Sequence, residues 1–201
     1  MISWLKRQLP CQLCGLVPAQ QASVCFDCWH SLPWFKSSIE RHEMRIHAAC
    51  HYAYPIDRII QQFKYEQQLH YQTLLAGCLT QLKLPKVHAI VAMPISNERL
   101  IERGYNQALL LAKLYAKQLN VPIWQPVQRL HQHSQKGLTR LERLDNINTQ
   151  FQVINTKTRG YKKILIIDDV ITTGSSIAAL SQALKQLGCS EVHAACVAYA
   201  G

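Results

Sequence analysis

The stretch ILIIDDVITTGSS, residues 164–176, narrows the possible folds more than any other part of the chain. Its apolar run reads as a buried strand that ends in two adjacent acids, Asp168 and Asp169. A turn of small hydroxyl residues around Gly174 then leads into a helical pattern of Ile177, Leu180, Leu184 and Leu187, which Gly188 stops. A last strand follows at about residues 191–198.

The same alternation runs through the preceding residues. A short strand is expected around residues 50–54, then a helix with Ile56, Ile59, Ile60 and Phe63 on one face and a second carrying Leu74, Leu75, Cys78, Leu79 and Leu82. HAIVAMP, residues 88–94, reads as a buried strand, and a helix from about Asn106 to Leu119 turns Ala108, Leu109, Ala112, Ala116 and Leu119 inward. Helices alternating with strands predict an α/β fold whose parallel sheet is flanked by helices. The polar segment 127–150 reads as a long loop or lid with a short helix.

A strand ending in Asp168 and Asp169 delivers both carboxylates to the carboxyl edge of such a sheet, where open α/β folds place their ligands. Beside them Thr172, Thr173, Gly174, Ser175 and Ser176 make a tight turn into a helix, and backbone N–H groups at that start cradle a phosphate. Next to a phosphate, the acids accept hydrogen bonds from vicinal sugar hydroxyls or hold Mg²⁺ through water. The ligand predicted is a ribose 5-phosphate unit.

Residues 1–45 have another character, with Trp4, Trp29 and Trp34, little periodicity, and four cysteines. Cys11 and Cys14, then Cys25 and Cys28, form two CxxC pairs whose thiolates close on one ion. Structural zinc fits this set, and so do the four thiolates of an iron–sulfur cluster. Four protein ligands leave no open position, so the metal is structural. Cys50, Cys78, Cys189 and Cys196 lack the spacing and sit in apolar patterns, as core residues do. The expected division is a zinc-binding module at 1–45 and an α/β domain at 46–201.

Charge bears on partners. The 201 residues carry a formal charge of +10, which suits an anionic partner such as phosphate, nucleotide or nucleic acid. No apolar run approaches the roughly 20 residues that span a bilayer, and the apolar part of MISWLKRQLP is too short for a signal peptide, so no membrane insertion and a cytoplasmic location are expected. Trp4, Lys6, Arg7, Trp29, His30, Trp34, Phe35 and Lys36 interleave basic and aromatic groups, a composition suited to single-stranded DNA.

All thirteen positions of residues 164–176 resemble the motif of type I phosphoribosyltransferases, which binds phosphoribosyl pyrophosphate (PRPP). PISNERLIERGYNQALLLAKLYAK, residues 94–117, resembles the ComF family of competence proteins, which also carries a four-cysteine module. Phe63, Lys64 and Tyr65, then Gln135 and Leu138, Arg143 and Asn146, and Phe151 match that family's further blocks. The turn departs from the family only in ending Ser175, Ser176 where Ala and Thr are frequent, and Ser176 keeps a hydroxyl.

The resemblance implies a type I phosphoribosyltransferase-like domain in a protein of natural transformation. Such a protein acts in the cytoplasm on incoming single-stranded DNA beside a helicase-like competence ATPase, and it leaves open whether phosphoribosyl transfer to an acceptor takes place. It implies PRPP contacts from Asp168, Asp169, Val170, Thr172, Thr173, Gly174, Ser175 and Ser176. Arg99 and Arg103 follow the strand where the fold places its pyrophosphate loop, and Arg103 with the two acids forms the expected catalytic set. Lys64, Arg140 and Arg143 are further candidates to stabilise a leaving diphosphate, and they join Lys6, Arg7 and Lys36 as cations for the nucleic acid. Structural Zn²⁺, and Mg²⁺ arriving with PRPP, are the implied ions.

Overall fold

A computed structural model describes residues 9–130, 150–154 and 160–201. Its five-stranded sheet has the order β1 (Trp34–Arg41), β2 (Met44–His51), β7 (Glu191–Tyr199), β6 (Lys163–Ile171) and β3 (Ala89–Ala92). From β2 to β3 every neighbouring pair is parallel, and β1 adds an antiparallel edge. The helices are α1 (Phe26–His30), α2 (Ile56–Tyr65), α3 (Gln72–Leu79), α4 (Asn97–Arg103), α5 (Gln107–Leu119) and α6 (Ser175–Gln186). A separate two-stranded ribbon joins β4 (Val127–Arg129) to β5 (Phe151–Val153).

The parallel core forms because Ala89, Ile90, Val91 and Ala92 in β3, and Ile164, Leu165, Ile166 and Ile167 in β6, are buried throughout. Periodicity placed α2 correctly: Ile56, Ile59, Ile60 and Phe63 are its buried stripe. Leu119, expected inward, is exposed because it ends α5 next to the left-handed Asn120 cap. Two further differences concern boundaries. The strand expected at residues 50–54 starts at Met44, because buried Met44, Ile46, Ala48 and Cys50 alternate with Arg45 and His47, whose polarity hid it. The polar segment opens as strand β4, and its residues 131–149 lie outside the described part.

The cysteine module shares its core with the sheet. Buried Cys11, Val24, Cys25 and Trp29 are continuous with the cluster that includes Cys50, Ile60 and Leu180. Contact is close at Gly77 of α3, where a Cβ would stand 2.5 Å from the Ala22 Cβ and 3.4 Å from the Trp29 ring. Only glycine leaves room for that approach. The expected boundary near residue 45 falls within the β1–β2 hairpin, whose Arg45 pairs with Glu40. Cys50, Cys78, Cys189 and Cys196 are all buried core residues.

The RGYNQ block has a mechanical role in this architecture. Gly104 ends α4 in the left-handed region at φ 79°, which an L side chain adopts only with strain. Tyr105 donates its hydroxyl proton to the Phe63 carbonyl on α2. The Asn106 amide donates to the Met93 carbonyl at 3.0 Å, while its oxygen accepts from Leu109 N and caps α5. These bonds tie the end of β3, the end of α2 and the start of α5 together around the carboxyl edge of the sheet.

Candidate functional site

The crevice arises from a difference in strand length. β3 pairs with β6 only as far as Ala92 and Ile167, whereas β6 runs on to Ile171 against Tyr199 of β7. Asp168 and Asp169 thus stand on a strand whose β3 side has just ended. Successive strand residues start toward opposite faces, yet both acids line one crevice beyond the end of β3. Asp169 is buried and ion-paired with Lys64 of α2, Nζ to Oδ2 2.6 Å. Asp168 accepts from the Asp169 backbone N–H at 2.9 Å.

Burial and the neighbouring Asp169 charge push the Asp168 carboxyl well above its usual range, against a smaller lowering by Lys64. A carboxylate held under that strain gains from any donor or cation brought to it. Asp168 also borders both of the cavities at this edge.

The smaller cavity, about 80 Å³, is enclosed by Asp168, Val170, Thr172, Thr173 and the start of α6 at Ser175 and Ser176. Gly174 precedes the helix at φ 78° and brings no capping side chain of its own, while Ser175 N–H donates to the Thr173 hydroxyl at 3.4 Å. Thr173 and Ser175 hydroxyls lie 3.1 Å apart. The turn therefore presents helix-start N–H groups and hydroxyls to a space of phosphate size.

The larger cavity, about 330 Å³, adjoins it through Asp168, Val170 and Ser176. Lys64, Arg99, Arg103 and Arg129 bring cations to its walls, and Asp169 supplies a second carboxylate. Arg103 lies with its guanidinium carbon 4.9 Å from the Tyr65 ring centroid and donates to the Tyr65 hydroxyl at 3.4 Å. Four cations around two acids suit a ligand with hydroxyls at one end and several negative charges at the other.

At the other end of the chain, Cys11, Cys14, Cys25 and Cys28 place their sulfurs within 4.8 Å of one another. The Cys14 and Cys25 sulfurs are 3.9 Å apart, close to the about 3.8 Å edge of a tetrahedron with zinc–sulfur bonds of about 2.3 Å. Burial favours the neutral Cys11 thiol, yet hydrogen bonds from Cys14, Cys25 and Leu13 outweigh it and bring the group down to about 6. Burial and the other three sulfurs raise Cys28. Geometry and donor chemistry are compatible with structural zinc. The acid pair offers less to an ion of its own: with Asp169 held by Lys64, a Mg²⁺ there would depend on oxygens of a bound ligand.

Every expected phosphate residue from Val170 to Ser176 lies on this edge, with Arg99 and Arg103 across from the acids. Lys64, expected to serve nucleic acid, is inside the cavity beside Asp169. Lys36 sits over the Trp34 ring, 4.2 Å from its centroid. Trp29 is buried and Trp34 half-buried, the two rings meeting edge-on at 4.9 Å. Lys6, Arg7, Arg140 and Arg143, like Trp4, lie outside the described residues. Arg129 escaped the sequence reading, because its segment looked like an irregular loop.

The sheet, the acid pair and the helix-start cradle define a domain of the phosphoribosyltransferase class, and the family pattern described as "Phosphoribosyl transferase domain" matches residues 106–201. Competence protein F of Haemophilus influenzae is 32% identical over 197 residues, covering 91% of this chain and 81% of that protein. The chain belongs to the Competence protein F family. Competence protein ComFC of Bacillus subtilis is 28% identical over 182 residues, covering 89% of this chain and 72% of its own length. The DNA utilization protein YhgH of Escherichia coli is 27% identical over 200 residues, covering 93% and 82%. Among solved structures, a glutamine PRPP amidotransferase from B. subtilis overlays 62% of this chain and 25% of its own at TM-score 0.46 and 15% identity. Among the described residues no helix is long and apolar enough to cross a membrane.

Proposed function

We propose that this chain is a competence protein of natural transformation that works in the cytoplasm, binding single-stranded DNA and a phosphoribosyl ligand, PRPP or ribose 5-phosphate. The reading is carried by one observation: a phosphate-sized cradle opens through Asp168 into a cavity that pairs two carboxylates with four cations. In that arrangement the turn from Thr172 to Ser176 receives the 5-phosphate, and Asp168 and Asp169 accept from the ribose hydroxyls. Lys64, Arg99 and Arg103 face the anionic remainder, and Mg²⁺ enters on the ligand's own phosphates. Zinc in the cysteine module holds the N-terminal residues in place. Relatives named for competence and DNA utilization support the process, and a helicase-like ATPase is the kind of partner that would hand over the strand.

For the DNA, the basic and aromatic N-terminal surface, with Lys36 over Trp34, supplies charge and stacking. Lys6, Arg7, Arg140 and Arg143, outside the described residues, are the further cations this reading assigns to the strand. Titration calorimetry of PRPP and ribose 5-phosphate, repeated with an Asp168→Asn, Asp169→Asn double variant, tests the pocket. Binding by the wild type that the variant loses is the expected result, and no binding by the wild type would refute the pocket reading. Oligonucleotide affinity should fall steeply as salt rises; affinity indifferent to salt would remove the phosphate-contact basis of the DNA claim.

The cations around the acids favour a second reading, an active phosphoribosyltransferase. They would stabilise a departing diphosphate as the ribose takes on oxocarbenium character. Acceptor-dependent pyrophosphate release that the double variant loses is its test.

A further inference from the structure

A second group of basic side chains, which the phosphoribosyl reading leaves unused, gathers at the opposite end of the sheet. A cavity of about 700 Å³, larger than either one at the carboxyl edge, opens at the amino ends of β2 and β7. None of its lining residues recurs in those two cavities. β1 supplies Glu40, the hairpin turn Glu43, β2 Arg45 and His47, the segment after α3 Lys83, and β7 His193. His47 is the register partner of Ala195, two residues beyond His193, so both imidazoles start from one face of the sheet.

The charges of these six residues make the two imidazoles decisive. With both rings neutral, Arg45 and Lys83 cancel Glu40 and Glu43, and Arg45 already pairs with Glu40 at 3.7 Å. With both rings protonated, four cations face two carboxylates and two positive charges are left over. Histidine is the side chain whose charge ordinarily changes between pH 5 and 8. Glu191, 3.7 Å from His193 Nε2, does not offset that excess, because Lys163 of β6 holds it at 2.8 Å. His193 Nε2 makes no hydrogen bond among the described residues, so an incoming oxygen has no existing bond to displace. Burial, then the charges of Arg45 and His193, keep His47 below the usual histidine range, and an anion seated among these groups would reverse the repulsion.

We propose that this amino-edge cavity is a second anion site, which takes a doubly charged oxyanion such as a phosphate monoester and opens as pH falls and His47 and His193 become charged. Arg45 and Lys83 supply its standing positive charge, and the two histidines its pH dependence. Binding there takes up protons, and it does not depend on the phosphoribosyl pocket.

Histidine-selective NMR of the full chain tests the site, with sulfate, a dianion throughout the range, as the probe and sodium chloride at equal ionic strength as the control. No histidine lines either cavity at the carboxyl edge, so the two rings report on this end of the sheet. Sulfate should move the His47 and His193 ring signals saturably, and should bind about tenfold more tightly at pH 6 than at pH 8. Lys83→Ala should weaken sulfate at both pH values, and His47→Gln should flatten the pH dependence read at His193. Ring signals that sulfate leaves in place, or that sodium chloride moves equally, overturn the site. Saturable binding of equal strength at pH 6 and pH 8 overturns the histidine gate and the proposal with it. Acetate that competes as well as sulfate does the same, since a singly charged anion would then suffice.

Discussion

The cysteine module and the acid edge are both clusters of ionisable groups held at close quarters, and the fold treats them in opposite ways. Around Cys11, Cys14, Cys25 and Cys28 the chain converges four soft donors on one point, with backbone N–H groups already directed at the Cys11 and Cys25 sulfurs. A cation such as zinc would complete that cluster, and the module packs on α3 where Gly77 meets Ala22 and Trp29. At the other edge, Asp168 and Asp169 are adjacent acids taken partly out of water, and among the described residues their ion pair is the one from Asp169 to Lys64. The first cluster would hold its segment of the fold together through its ligand. The second is held by the fold against its own repulsion, which a ligand would relieve.

The largest effect should come from emptying the first cluster. Cys25→Ser removes a sulfur that also accepts from Cys28 N at 3.4 Å. Structural zinc sites bind with apparent free energies of about 10–16 kcal/mol, most of it linked to folding. Metal analysis should show metal lost from this variant, and its melting transition should fall far below that of the wild type, because Trp29 shares the sheet's core. A variant that melts with the wild type would mean that the module contributes nothing to the fold.

Next is the ion pair at the second cluster. Lys64→Met leaves Asp169, 6% exposed, without its cation. Breaking a buried pair from one side costs about 3–5 kcal/mol. Denaturant unfolding should register most of that, and adding Asp169→Asn should restore a large part. No recovery in the double variant would show that Lys64 acts through packing and not through charge.

How far these two clusters could be foreseen differs for a physical reason. Local signals carried the cysteine spacing, the 164–176 motif and the helices with one apolar face, since each depends on residues within a turn or two of one another. The RGYNQ block could be matched as a pattern, but Tyr105 to Phe63 and Asn106 to Met93 are contacts across the chain that spacing does not encode. The Lys64 to Asp169 pair joins α2 to β6, two elements far apart in the chain, and is equally out of reach of spacing, which offers Lys64 to a diphosphate and to nucleic acid without giving its partner. Arg129 was missed because its three-residue strand is stabilised by a partner, Phe151, far along the chain. β2 was placed late because half of its residues face away from the core.

A moderate effect is expected at Gly174, where the two clusters' segments meet the same turn. Its φ of 78° disfavours any L side chain, and a Cβ there would stand 3.1 Å from the Arg41 Cβ of β1 and 3.2 Å from Ile46 Cδ1 of β2. Gly174→Ala should cost roughly 1–3 kcal/mol in unfolding experiments. Because the turn forms the cradle, phosphoribosyl affinity should drop in the same variant. Full retention of stability would mean that the β1–β2 hairpin yields easily to the added methyl group.

The smallest stability effect should have the opposite sign, and it separates the two clusters most sharply. The fold raises the Asp168 carboxyl, so its ionised form costs stability at any pH above that raised value. The cost shrinks as pH falls through the folded-state value and is gone below the unfolded value of about 3.9. Asp168→Asn removes the charge while keeping the shape, and should raise the melting temperature of the ligand-free protein at neutral pH by a few degrees, about 1 kcal/mol. That advantage should fade as the buffer is taken toward the ordinary carboxylate range. The same variant should lose the stabilisation that PRPP gives the wild type. A gain in stability joined to a loss of binding is what a site held under strain for its ligand must show; a variant that is less stable at neutral pH would place Asp168 among the groups that hold the fold together, as the cysteines do.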